Sequence, residues 1–205
     1  MKKTINAAVL LTLIGLVMGL NNCLVEEREV EIVLNEENCE EFEEIHDSEN
    51  FTTPQIIEIG AEMDSLLDDN ELSRSDIVDA FLVSASYTVT EFEQHPWDLA
   101  GVIMVERVGS IEDPDTLLDY NDGITLSEAI VGEKTYVTLH EDGVALINQA
   151  IDDFIAGGNP VLGIAIVNGD VEPSPSAVDL LDFVWEFCLY MQVITEIEMD
   201  AYDPL

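Results

Sequence analysis

Basic residues are scarce in this chain: lysine and arginine number 6 against 44 aspartates and glutamates, for a formal net charge of −38. A field of that sign repels phosphate backbones, so nucleic acid is excluded as a partner. The partners that remain are cations or a basic protein. Acidic composition is typical of disorder only when apolar content is low, and here hydrophobic residues make up 47% of the chain. The composition therefore predicts a folded domain with a substantial core, and it leaves the oligomeric state open.

Long hydrophobic runs are also lacking beyond the N-terminus. The one long apolar stretch without charge is residues 7–20, which follows Lys2 and Lys3. These 14 residues are too few to cross a bilayer, which takes about twenty, but a short positive region followed by such a segment is typical of a signal peptide. We therefore expect residues 1–22 to be a signal peptide and the mature chain to be exported.

The segment after the apolar stretch suggests how the mature chain is held. Leu20-Asn21-Asn22-Cys23 resembles the lipobox of bacterial lipoproteins, a family in which the cysteine is diacylated and becomes residue one. The resemblance implies lipidation of Cys23, attachment to the membrane through that lipid, and a place in the cell envelope or at the cell surface. Asn22 departs from the small residue preferred before the cysteine. Cleavage after Gly19 is the alternative, and it would give a secreted protein.

Cysteine is rare, with 3 residues in the chain, and an odd count is unusual for an exported protein unless one thiol is otherwise used. If Cys23 carries lipid, Cys39 and Cys188 remain and can pair in an oxidising compartment. Such a disulfide would close a loop of about 150 residues, which the chain-entropy model values at roughly 4–5 kcal/mol. The alternative is two free, buried thiols.

Hydrophobic periodicity predicts a mostly β domain. Residues 29–34 read as a first strand, residues 35–50 as a charged connector, and Thr53-Pro54 as the start of a short helix that ends near Asp68. Further strands are expected at 83–90, 99–108, 124–131, 135–139, 161–167 and 183–197, and a second helix at 144–155. We expect the strands at 83–90 and 99–108 to be antiparallel neighbours, and the long terminal strand to bend and serve two sheets.

These elements favour an antiparallel β-sandwich of about six or seven strands, with two short helices in the connections. The alternative is an α+β domain, in which one antiparallel sheet carries both helices on one face. The expected organisation is a signal peptide at 1–22, an anchor and acidic segment with the first strand at 23–50, and the remainder of the single domain at 51–205.

Motifs for catalysis are lacking. The sequence has no Gly-rich phosphate loop, no nucleophile elbow and no pair of histidines at metal-ligand spacing. We interpret His46, His95 and His140 as surface residues in or beside loops. The sequence therefore favours a non-enzymatic binding or structural module without a cofactor. A secreted hydrolase that uses loop carboxylates as acid and base is the alternative.

Acidic loops offer the hard oxygen ligands that calcium needs. The weak candidates lie between residues 113 and 122: Asp113, Asp115, Asp119, Asn121 and Asp122. They lack the spacing of an EF-hand loop and its distal bidentate glutamate. A calcium-dependent adhesion-type domain is therefore a further alternative, while ordinary polar loops are the simpler interpretation.

Overall fold

The structure is a computed structural model, and it describes residues 28–111 and 113–199. Its strands, in chain order, are β1 (Arg28–His46), β2 (Phe51–Ile57), β3 (Ile77–Glu91), β4 (Trp97–Arg107), β5 (Asp115–Asp119), β6 (Ile124–Leu126), β7 (Thr135–Val137), β8 (Leu162–Glu172) and β9 (Leu181–Met199). Two α-helices lie in the connections, α1 (Ile59–Asp69) between β2 and β3 and α2 (Glu141–Ile155) between β7 and β8. No helix of the described ranges is long and apolar enough to cross a membrane.

The strands form two antiparallel sheets that pack as a sandwich. The first sheet has the order β1-β9-β3-β7, and the second has the order β2-β8-β4-β5 with β6 also paired to β4. The expected β-sandwich with helices in its connections is therefore confirmed, and the single-sheet alternative is wrong. The described residues contain two strands that the sequence did not predict, β2 and β5, while β6 and β7 are shorter than the strands predicted at 124–131 and 135–139.

Strand β9 provides much of the core. Its inward side chains, at every second position, are buried: Phe183, Trp185, Phe187, Leu189, Met191 and Val193. Burying a large apolar side chain contributes about 1.5–3 kcal/mol, so this face is a major source of stability. The alternation that predicted the strand is the alternation between the core and the outer face.

The expectation that β9 serves two sheets is wrong. It pairs with β1 over all 19 residues without a register shift and lies wholly in the first sheet. The irregularities fall instead between β3 and β9, with shifts at Ile77/Asp79, Leu82/Ser84 and Val89/Glu91. The extra residues of the bulges therefore lie in β3, where they bend the strand, and β9 itself continues without a break.

The charged connector expected at residues 35–50 is also wrong over most of its length, because β1 continues through it to His46. In this half of the strand the outward positions are exposed, whereas Asn38, Phe42 and Glu44 point inward and are buried. The alternation is that of a half-buried strand, but glutamate stands on both faces. Periodicity of polarity therefore could not reveal it.

The predicted helix start at Thr53-Pro54 is wrong as well. Both residues lie in β2, and α1 begins at Ile59 with Glu58 at its N-cap. Proline is tolerated because β2 is an edge strand of its sheet, where a missing N–H need not break a ladder. A capping turn lies at residues 73–76, where Asp76 Oδ2 accepts from the backbone N–H of Ser73 at 2.8 Å.

Strands β3 and β4 are consecutive but belong to different sheets, so the expectation that they pair is wrong. Helix α2 packs against β3, β4 and β5 and so bridges the two sheets. Its Asn148 Oδ1 accepts the backbone N–H of Leu82 at 2.8 Å, beside a bulge of β3. Gly143 lies in the first turn of α2 because a Cβ there would approach Leu117 Cα to 2.7 Å.

Candidate functional site

Strand β1 concentrates the acidic character of the domain on one edge of the sandwich. Its sequence between Arg28 and His46 contains neither proline nor glycine. The outward carboxylates are exposed and belong to Glu31, Glu37, Glu41 and Glu43. Glu36, Glu40 and Glu44 occupy the alternate positions on the inward side. The edge therefore carries carboxylates on both of its faces.

The two cysteines beyond residue 23 join this edge to the core of the first sheet. Cys39 and Cys188 are directly opposite each other in the pairing of β1 with β9, with Cα atoms 4.0 Å apart. Their sulfur atoms lie 2.09 Å apart, at disulfide-bonding distance. The pair that the cysteine count selected is therefore the pair that the fold brings together, and it fixes the edge strand to a central strand.

Lys134 is a basic side chain that contacts this edge. Lys134 Nζ donates to Glu37 Oε1 at 2.6 Å and to the hydroxyl of Tyr190 at 2.7 Å. The Tyr190 hydroxyl in turn donates to Glu37 Oε1 at 2.9 Å. The hydrogen bonds from Lys134 and Tyr190 hold the pKa of Glu37 below its usual value. The same contacts raise the pKa of Lys134, so the ammonium stays charged.

Two further basic side chains, those of Arg74 and Arg107, are similarly occupied. Arg74 pairs with Asp64 at 2.5 Å, and Arg107 pairs with Asp153. Together with Lys134, each neutralises one carboxylate. The remaining carboxylates of the described ranges greatly outnumber these cations, so most of the negative field faces outward.

Glu44 is the buried carboxylate of the described residues, with no exposed surface. Its Oε2 accepts from His46 Nε2 at 2.5 Å and from Thr53 Oγ1 at 2.7 Å. Its Oε1 lies 3.5 Å from Trp185 Nε1. His46 also stacks on Phe51, with ring centroids 3.5 Å apart. These contacts tie β1 to β2 across the two sheets, so His46, expected as a surface residue beside a loop, is half-buried at the end of β1 and has a structural role.

Glu36 of β1 is influenced by carboxylates of α1. Burial raises the pKa of Glu36, and the negative charges of Glu62 and Asp69 raise it further. No basic side chain is among the causes of this shift. This repulsion is unfavourable for folding and adds to the negative field along the β1 edge.

An apolar cavity of about 50 Å³ lies between the sheets. Aromatic and aliphatic side chains line it: Phe51, Tyr87, Val89, Leu99, Ile103, Leu118, Tyr120, Ile124, Leu126, Ile166, Phe183 and Trp185. Burial, with the nearby charge of Glu44, raises the pKa of Tyr120, so its phenol stays neutral. The volume is far below the roughly 300–1,000 Å³ of typical ligand pockets. This cavity is a packing void, and its lining contains no carboxylate.

The calcium candidates do not converge. Asp119, Asn121 and Asp122 line one shallow surface pocket of about 540 Å³ together with His140 and Glu141. Asp115 lines a different pocket, beside Asp142 and Asp152 on α2, and Asp113 is exposed in the loop before β5. Asp119 Oδ1 accepts the backbone N–H of Asn121 at 2.8 Å, which is the hydrogen bond of an ordinary turn.

Within the described ranges, one group of three His, Cys, Asp or Glu residues has its ligand atoms within 4.8 Å of one another. It consists of Glu37, Cys39 and Cys188, and the two sulfur atoms of this group are already paired. The three histidines are far apart: His95 stacks on Trp97, and His140 is the exposed N-cap residue of α2.

Cys23 and residues 1–22 lie outside the described residues, so lipidation and the signal peptide stay predictions.

Comparisons with known proteins add little. No family model matches this chain, and no curated protein is similar to it. A solved structure entitled "Turnip yellow mosaic virus" aligns with 87% of this chain and 86% of its own, at 9% sequence identity and a TM-score of 0.25. A TM-score of that size is too low to support an argument about fold or function.

Proposed function

We propose that this chain is an exported, lipid-anchored protein of the cell envelope or surface, and that its β-sandwich is a non-enzymatic module that binds a cationic partner. The observation that carries the proposal is the edge strand β1, where exposed carboxylates line one side and Lys134 neutralises only Glu37. A surface with this field favours cations or a basic protein and repels anions.

The cysteines support the extracytoplasmic part of the proposal. Cys39 and Cys188 lie at disulfide-bonding distance, and disulfides persist in oxidising compartments. Cys23 is then the remaining cysteine, and it stands in the lipobox-like segment.

Anchoring at Cys23 would place the acidic edge near the bilayer. Four residues, 24–27, separate Cys23 from the start of β1. Fully extended, they reach about 14 Å. Because anionic headgroups repel carboxylates, we expect the sandwich to project away from the membrane and to present β1 to partners in the surrounding space.

The interior of the sandwich supports a role without catalysis. Glu44, the buried carboxylate, is held by His46, Thr53 and Trp185, and the adjoining cavity is small and apolar. A hydrolase would require two convergent carboxyl groups beside a pocket that admits a substrate, and the acidic surface pocket lined by Asp119, Asp122 and Glu141 is where that alternative would have to place them.

Cell fractionation tests the proposal with two variants. The natural chain is expected in the membrane fraction, and Cys23→Ala is expected in the exported soluble fraction because it lacks the lipid attachment site. Asn22→Ala is the matched control: it supplies the small residue preferred in a lipobox and should stay with the membrane. Retention of the Cys23→Ala protein in the membrane would refute the anchor, and recovery of the natural chain in the cytoplasm with reduced Cys39 and Cys188 would refute export.

A further inference from the structure

The four sheet edges of the sandwich differ greatly in length. β7 has 3 residues and β5 has 5, while β2 has 7 and contains Pro54. β1 has 19 residues without proline or glycine. Natural proteins protect sheet edges from unwanted pairing by keeping them short, by proline or by charge. Three of these edges are short or contain proline, whereas β1 is protected by charge alone.

Among the residues that the structure describes, the backbone of β1 has no partner along one side. All of its ladder pairs are to β9, and none of the turn, loop or cap backbone hydrogen bonds of the described ranges involves a residue of β1. Its neighbour across the sandwich, β2, meets it through side chains, as in the contacts of Thr53 with Glu44 and of Gln55 with Glu40. In an antiparallel pair, alternate residues direct their N–H and C=O groups away from the partner strand. A row of backbone donors and acceptors therefore faces outward.

The charges on β1 decide which strand can pair there. A second copy of β1 would place glutamates opposite glutamates, which is unfavourable. A strand with lysine or arginine at alternate positions would instead face Glu31, Glu41 and Glu43 on the outer side. The acidic side chains therefore oppose self-association and favour one class of partner.

We propose that β1 is a docking edge for an extended, lysine- or arginine-bearing segment of a partner protein, which joins the first sheet as an added strand. This inference rests on the proposed function and specifies where and how the cationic partner binds. Backbone hydrogen bonds supply the pairing, and alternate basic side chains supply the selectivity.

Strand β1 is already ordered before a partner binds. Unbroken pairing with β9 and the Cys39–Cys188 pair hold β1 in place, so that only the incoming segment has to be ordered. Strand addition would therefore leave the sandwich otherwise unchanged.

The test uses the full-length chain carrying Cys23→Ala and a blocked ten-residue peptide of alternating threonine and lysine. Fluorescence anisotropy measures binding, and hydrogen exchange shows which amides the peptide protects. A second peptide has the same side chains but N-methyl groups on alternate backbone nitrogens. It keeps the charge and loses the donors of one edge.

The proposal predicts that the lysine peptide binds at low salt and protects amides of β1, and that N-methylation weakens binding at least tenfold. Glu41→Gln with Glu43→Gln should weaken binding by about three- to tenfold, since two cross-strand charge pairs are lost. The matched control, Asp113→Asn with Asp122→Asn, removes as much charge from exposed loops beside β5 and should change binding less than twofold.

Equal binding of the N-methylated peptide, or protection away from β1, would overturn strand addition and leave a cationic partner bound by charge alone. Concentration-dependent protection of β1 without peptide would also overturn it, because a second copy would then occupy the edge. Failure of both peptides to bind at low salt would contradict the cationic partner of the proposed function itself.

Discussion

At the scale of single residues, Glu44 illustrates a buried charge retained by its contacts. The carboxylate is out of reach of water, and the hydrogen bonds from His46 and Thr53 offset the cost of removing it from solvent. The neighbouring Glu43 points the other way and is exposed. Of these two adjacent glutamates, Glu44 is therefore a structural residue, and Glu43 belongs to the exposed acidic face.

Replacing Glu44 by alanine is expected to lower the free energy of unfolding by about 3 kcal/mol, because the half-buried donors of His46 and Thr53 lose their acceptor and a buried side chain is removed. Glu43→Ala is the matched control and should change it by no more than about 0.5 kcal/mol. Urea unfolding measures both. Similar effects of the two substitutions would contradict the structural role of Glu44.

Glu37 gives a prediction about pH. Lys134 and Tyr190 lower its pKa in the folded state, so its contribution to stability is present above the unfolded value of about 4.3 and is lost as the pH falls through the folded value. Lys134→Met should raise the pKa of Glu37 towards its usual value, as followed by carboxyl NMR titration. Arg107→Met, which removes the distant pairing with Asp153, should leave that pKa unchanged. A pKa unaffected by Lys134→Met would show that the ion pair does not form in solution.

The sequence could predict some of these residues and not others. Counting cysteines was enough to select Cys39 and Cys188, because two remain once Cys23 is set aside. The partners of Glu44 could not be found in this way, since Trp185 is 141 positions away and Thr53 stood in a segment that read as a helix start. Glu44 itself looked like any other glutamate of an acidic run.

At the scale of elements, strands with an apolar inner face were predictable and charged strands were not. The alternation of β9 and of the central part of β3 identified both. β1 was read as a connector beyond residue 34 because glutamates occupy its inward positions as well as its outward ones. Pro54 also led to a wrong prediction. Proline is common in the first turn of a helix, but here it lies in a strand at the edge of a sheet. Local hydrophobic patterns reveal a strand through the burial of one of its faces. An edge strand is only partly buried, so its pattern is weaker.

Hydrogen exchange tests the extended β1 directly. Amides between Asn35 and His46 that bond to β9 should be protected, alternating with amides that face outward and exchange quickly. Residues 47–50, which lie between β1 and β2, should exchange quickly throughout and serve as the control. Uniformly fast exchange over 35–46 would show that this segment is a connector after all.

At the scale of the whole molecule, charge is the dominant feature. The excess of carboxylates over basic side chains means that the folded domain repels itself, and the raised pKa of Glu36 between β1 and α1 is a local sign of this. Salt screens such repulsion within a few ångströms at molar concentration. The negative field that favours a cationic partner therefore also destabilises the folded state.

Stability should accordingly rise with salt. We expect the melting temperature to increase from millimolar to molar sodium chloride and to increase further with calcium, through diffuse neutralisation of acidic clusters. A gradual calcium effect agrees with the separated positions of Asp115 and Asp119, whereas saturation at micromolar calcium would indicate a specific site. A melting temperature that stayed flat or fell as sodium chloride increased would contradict the role of charge repulsion.

The central claim, that an acidic binding module is exported and held by a lipid, is tested most directly at the N-terminus. Mass spectrometry of the N-terminal peptide of the native protein should find Cys23 as the first residue, with the mass of a diacylglyceryl group attached. An unmodified terminus at Leu20 would contradict the anchor, and an intact Met1 would contradict export.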